Sequence, residues 1–143
     1  MKKIAGIVLL AVLTACQPGA DYKAVRKDVM KFHDVVMADH GIIISNQMKL
    51  DTLLTDIKAL KQAFPEIDTL KERAAMTALK LELVKAEEVM NNWMHQFEPD
   101  VTGKSNEEAV KYFEAEKKKI IGIDSIYKQE IKLSRDYLLK FKK

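Results

Sequence analysis

Val25, Val29, Phe32, Val36, Asp39, Ile43, Asn46, Leu50, Leu53, Ile57, Leu60 and Phe64 step along the chain by alternating fours and threes without a slip. A helix of 3.6 residues per turn gathers such positions into one stripe, whereas a strand would alternate every second residue. The spacing is that of a sustained heptad seam and predicts a first helix over residues 22–64. At 1.5 Å per residue it would be roughly 65 Å long, with a bend expected at Gly41. Pro65 stops it, and Pro65-Glu66-Ile67-Asp68 suits the first turn of a second helix.

The same spacing recurs in Met76, Leu79, Leu83, Ala86, Met90, Trp93 and Phe97, which predicts a second helix over 66–98. Glu98-Pro99 closes it, and Pro99 to Lys104, with Gly103, reads as a loop. Ser105-Asn106-Glu107-Glu108 is a capping-box pattern that opens a third helix over 105–142, with Val110, Phe113, Ile120, Tyr127, Ile131, Leu138 and Phe141 along its seam. Three long helices joined by short turns predict an all-α chain, a long antiparallel three-helix bundle of coiled-coil character over residues 22–143. An elongated coiled coil completed by a second chain is the competing architecture. The polar positions Asp39, Asn46 and Asp124 would set register in either. No internal repeat, strand signal or low-complexity segment breaks this pattern.

The first residues depart from it. Met1-Lys2-Lys3 is basic, Ile4 to Leu13 is apolar apart from Gly6, and Leu13-Thr14-Ala15 supplies the small residues a peptidase site needs. A run of ten residues is too short to span a ~30 Å hydrocarbon core. Residues 1–15 therefore read as a secretory signal peptide that is removed. Cys16 is the single cysteine. In an oxidising compartment an unpaired thiol is a liability or an intermolecular bridge, and attachment to lipid removes it. Leu13-Thr14-Ala15-Cys16 resembles the lipobox of bacterial lipoproteins in every position. The resemblance implies that Cys16 is diacylated on sulfur, becomes the first mature residue and is then acylated on its amine. Two or three chains, each worth ~0.8 kcal/mol per buried CH₂, anchor firmly where one is marginal. Residues 16–21 form a tether reaching under about 20 Å at ~3.6 Å per residue.

The signal peptide changes the charge picture. The formal net charge is +3 and the pI about 8.8. Removing residues 1–15 takes away Lys2 and Lys3 and no acid, leaving +1 on 128 of the 143 residues, enough for one domain. No nucleic-acid partner follows from such a balance. Lys117-Lys118-Lys119 and the tail Lys140 to Lys143 read as a solvated helix face and helix end, with contact to anionic membrane or envelope polymer as the alternative.

All three histidines fall in "MKFHDVVMADH" (30–40) and "VMNNWMHQF" (89–97). Met30, His33, Met37 and His40 share one helical stripe beside the seam. Folding the first two helices back about Pro65 sets His33 opposite about Phe97, Met37 opposite about Trp93 and His40 opposite about Met90. Met30, Met37, Met90 and Met94 then join the histidines at the tethered end. Thioether and imidazole together suit copper, especially Cu(I), with His33, Met37, His40, Met90, Met94 and His95 as candidate metal ligands and Asp34 or Asp39 orienting an imidazole. Haem held by Met and His is a variant, and the missing C-x-x-C-H excludes covalent haem. The plainer reading is packing, in which methionines fill core gaps near Trp93 and each histidine keeps a polar edge in water.

Catalytic signals are absent. The sequence has no G-x-S-x-G elbow, H-E-x-x-H, P-loop or dinucleotide fingerprint. Glu87-Glu88 and Glu107-Glu108 point their carboxylates to different faces of a helix. The expectation is a protein that is not an enzyme and needs no cofactor beyond the covalent lipid.

His33-Asp34-x-x-Met37, Trp93-Met94-His95-x-Phe97 and the Lys-rich third helix together resemble small outer-membrane lipoproteins of Bacteroidota. Those proteins carry a similar H-D-E-x-M, where this chain has Val35 in place of the Glu. The resemblance covers most of the mature chain and implies an outer-membrane home but no activity. The nearest acid to Cys16 is Asp21, five positions on, and this favours the leaflet facing the periplasm. The expected partners are the membrane, through the anchor, and an envelope protein or a second copy. The expected role is binding or scaffolding, with periplasmic copper binding as its alternative.

Overall fold

A computed structural model describes residues 19–142. The proposed signal peptide and Cys16 lie outside them. The described residues form four α-helices, α1 (Tyr22–Thr55), α2 (Ile57–Ala63), α3 (Thr69–Gln96) and α4 (Asn106–Leu138), followed by a 3₁₀ turn, Leu139–Phe141. No strand occurs among them, and none of these helices is long and apolar enough to cross a membrane.

Side-chain caps set the helix ends. Asp21 accepts the Lys23 N–H at 3.0 Å and opens α1. The first arm is expected to run unbroken to residue 64 with a bend at Gly41. α1 continues through Gly41 as one helix, but the arm does not run unbroken to residue 64, because the chain breaks at Asp56. There the Asp56 carboxylate accepts the Ala59 N–H at 3.0 Å and caps a new helix, α2. Thr52 adds to the break by bonding its hydroxyl back to the Met48 carbonyl at 2.9 Å. A short polar side chain that offers the backbone a local partner competes with helix propagation, and the heptad count does not register it.

The second helix starts later than expected. Pro65-Glu66-Ile67 is a turn, held by the Lys61 ammonium donating to the Pro65 and Ile67 carbonyls, each at 2.7 Å. Asp68 then caps α3 by accepting the N–H groups of Leu70 and Lys71. α4 opens as its sequence predicts, with Ser105 and Glu108 reciprocally bonded in a capping box.

Cross-helix pairs fix the directions. Gln47 with Glu87 and Asp51 with Lys80 set α1 antiparallel to α3, within about a turn of the predicted register. Trp93 with Glu116 and Glu72 with Tyr137 set α3 antiparallel to α4. Asp28 with Lys117, His40 with Tyr127 and Asn46 with Ser134 set α4 parallel to α1. Every predicted seam position of the first two arms is buried or half-buried, and Val29, Val36, Ile43, Leu50, Met76, Leu83 and Met90 are fully enclosed. This apolar burial is the main stabilising term.

The third seam is more polar than its apolar members suggest. Glu116, Asp124, Glu130 and Ser134 are all buried on α4, interleaved with Phe113, Ile120, Ile123, Tyr127 and Tyr137. Only Asp124 of the four stands out from the sequence as a seam residue. The others are hidden because a periodicity count follows apolar side chains.

Candidate functional site

The histidine–methionine stripe of α1 faces two different partners. His33 holds its Nδ1 3.0 Å from the neighbouring Asp34 carboxylate, and its ring lies 6.1 Å from Trp93 at 37°. His40, two turns on, places Nδ1 3.0 Å from the Tyr127 hydroxyl, with the rings stacked at 6.3 Å. Seven residues separate the two imidazoles, a rise of roughly 10 Å along the helix. His95 is exposed on the last turn of α3. Met90 is fully buried in the core, whereas Met37 and Met94 are each 37% exposed. Among the described residues no group of three or more His, Cys, Asp or Glu side chains is placed to hold a metal ion.

What converges is a set of polar bridges between helices. Tyr127 is wholly buried, and burial, with the nearby Glu87 charge, pushes its phenol up to about 12. It is therefore a neutral hydroxyl at physiological pH, bonded to His40 with a direction set by the imidazole tautomer. Glu87 in turn accepts from Gln47 at 3.0 Å. No family model, curated protein or solved structure matches this chain.

Two further bridges tie α3 to α4. Trp93 donates its indole N–H to Glu116 at 2.8 Å, and Lys119 pairs with the other Glu116 oxygen at 2.7 Å. At the opposite end the Tyr137 hydroxyl donates to Glu72, and burial is the first cause of its raised pKa, followed by that bond. Between them Glu130 faces Glu82. Burial, then the Glu82 charge, raises the Glu130 pKa, although a Gln129 hydrogen bond lowers it. Glu130 Oε2 and Asp124 Oδ1 are buried without a hydrogen-bond partner among the described residues. Such atoms are costly, and each marks a place where helix packing is traded against polar satisfaction.

These bridges select one register. A slip of one turn between α1 and α4 would separate His40 from Tyr127 and Asn46 from Ser134 together. Chemically, the groups found are hydrogen-bonding partners of one another rather than a nucleophile, base and oxyanion donors aimed at a shared point.

Proposed function

We propose that this chain is an exported lipoprotein whose helical domain serves a non-catalytic binding or scaffolding role in the bacterial envelope, tethered through Cys16. The observation that carries the reading is the run from Lys2-Lys3 through the apolar segment to Leu13-Thr14-Ala15-Cys16. The Bacteroidota resemblance and the position of Asp21 favour the periplasmic leaflet of the outer membrane. The helical part supports the role: its polar bridges are spent on joining helices, and its long arms make an extended body, with α1 alone about 50 Å at 1.5 Å per residue.

The architecture belongs to the same proposal. We read α1, α3 and α4 as an up-down-up three-helix bundle, with α2 as the detached end of the first arm. The support is that all three seams are covered within one chain, with Ile43, Leu83 and Ile120 each fully buried.

Mass spectrometry of the protein from its native membrane tests the anchor. The mature N-terminal peptide is expected to begin at Cys16 and to carry acyl chains, and Cys16→Ser is expected to release the protein from the membrane fraction. An unmodified Cys16 peptide would overturn it. Cross-linking in intact cells tests the scaffold role, which fails if no envelope protein is captured above background.

A further inference from the structure

Asn106, the first residue of α4, grips the start of α1 on both sides. Its Oδ1 accepts the Tyr22 N–H at 3.2 Å, and its Nδ2 donates to the Ala20 carbonyl at 2.9 Å. The chain therefore meets the folded body beside the α3–α4 loop, residues 97–105. A cleft of about 250 Å³ lies there, lined by Tyr22, Arg26 and loop residues from Pro99 to Lys104.

The walls of this cleft are held in place. Tyr22 stacks on Phe113 at 6.3 Å, and Tyr112 packs edge-on to Phe113 while its hydroxyl accepts the Glu98 N–H at 2.8 Å. The loop is closed by Asp100 accepting from the Thr102 N–H and hydroxyl, and by the Lys104 N–H donating to the Val101 carbonyl at 3.0 Å. Gly103 turns the chain at φ +87°, a conformation that costs glycine little.

Acids and bases at this end are used differently. Asp21, Glu98, Asp100 and Glu108 each accept a backbone N–H, from Lys23, Asp100, Thr102 and Ser105 respectively. Glu107 stays exposed beside them. The side chains of Lys23, Arg26, Lys27 and Lys104 make no hydrogen bond or ion pair within the described residues. The Arg26 guanidinium, whose charge reaches Asp100, and the Lys104 ammonium, whose charge reaches Glu108, lie on one cleft with their N–H donors unbonded among the described residues, and they are donors suited to a phosphate diester.

We propose that this cleft binds a phospholipid headgroup, with Arg26 and Lys104 taking the phosphate and Asp100 supplying the countercharge for the ammonium of phosphatidylethanolamine. The occupant follows from where the chain leads. On the reading that Cys16 carries lipid, the three residues from Cys16 to Gly19 span at most ~11 Å, so the cleft stands at headgroup depth. Tyr22, with an apolar ring and a polar tip, is a side chain suited to that layer. The anchor supplies proximity and the cleft supplies orientation, in the manner of a two-point attachment.

The test removes the anchor and keeps the cleft. Residues 16–143 carrying Cys16→Ser contain every described helix and the packed core that those helices form, and are made without acyl chains. They are expected to co-sediment with vesicles of phosphatidylethanolamine and phosphatidylglycerol. R26E/K104E is expected to weaken that binding at least ten-fold, R26K/K104R to retain it, and K58E/K71E, at the far end, to leave it unchanged. Matching thermal melts of the variants exclude unfolding as the cause. The proposal is overturned if the vesicles bind nothing, if K58E/K71E weakens binding as much as R26E/K104E, or if inorganic phosphate in solution binds as tightly as the vesicles do. Acylation of Cys16 is read separately by mass, so a failed anchor and a failed cleft give different results.

Discussion

Asn46 of α1 donates its side-chain amide N–H to the Ser134 hydroxyl of α4 at 2.9 Å, and Ser134 donates its own O–H to the Glu130 carbonyl at 2.6 Å. Both residues are buried. Replacing one partner strands the other, so Asn46→Ala is expected to cost about 1–3 kcal/mol. Asn46→Leu combined with Ser134→Ala is expected to recover most of that loss. Urea unfolding of the full double-mutant cycle measures the coupling, and additive single losses would show that the bond contributes nothing.

His40 and His95 separate a bridging imidazole from a surface one. His40→Ala removes the hydrogen-bonding neighbour that the buried Tyr127 hydroxyl has among the described residues and is expected to destabilise by about 1–3 kcal/mol. His95→Ala is expected to stay within about 0.5 kcal/mol. Equal effects in chemical denaturation would contradict this assignment.

Glu130 gives stability a pH dependence of defined sign. Its folded pKa is raised, chiefly by burial, so the native state holds the proton more tightly than the unfolded chain does. Its contribution is present at acid pH and is lost as pH rises through the raised value. Glu130→Gln is accordingly expected to stabilise by about 1 kcal/mol at pH 7 and to change little near pH 4. A variant that destabilises equally at both values would refute the reading.

Trp93 is the sole tryptophan and reports on one bridge. Its emission is expected to be blue-shifted, because it is buried against Phe97 at 4.8 Å and bonded to Glu116. Trp93→Phe leaves a buried carboxylate with only Lys119 and is expected to cost more than Glu116→Gln, which keeps an acceptor for the indole. Thermal melts of the two variants rank them.

The long arms were legible because apolar burial repeats, and Val29, Val36, Ile43 and Leu50 are enclosed where their spacing places them. The capping box at Ser105 was legible for the same kind of reason, since both members lie within four residues. The break at Asp56 was not, because it depends on one carboxylate choosing a backbone N–H over water. Nor were the buried roles of Glu116, Glu130 and Ser134. Each is tolerated only because a neighbouring helix supplies a partner or a shielding wall, and a single strip of sequence carries no record of that neighbour. The His/Met stripe was placed on one edge of α1 correctly by spacing, yet spacing did not reveal that Tyr127 would reach across to claim His40.

The double grip of Asn106 on Ala20 and Tyr22 has a mechanical consequence. A pull entering at Gly19 meets those two bonds first. Because α1 and α4 run in the same direction, the load then spreads along the length of α1 as shear, instead of peeling one residue pair at a time. Asp28 with Lys117, His40 with Tyr127 and Asn46 with Ser134 would share it, like rivets set in a row. A body fastened at one point can in this way bear tension along its whole first arm.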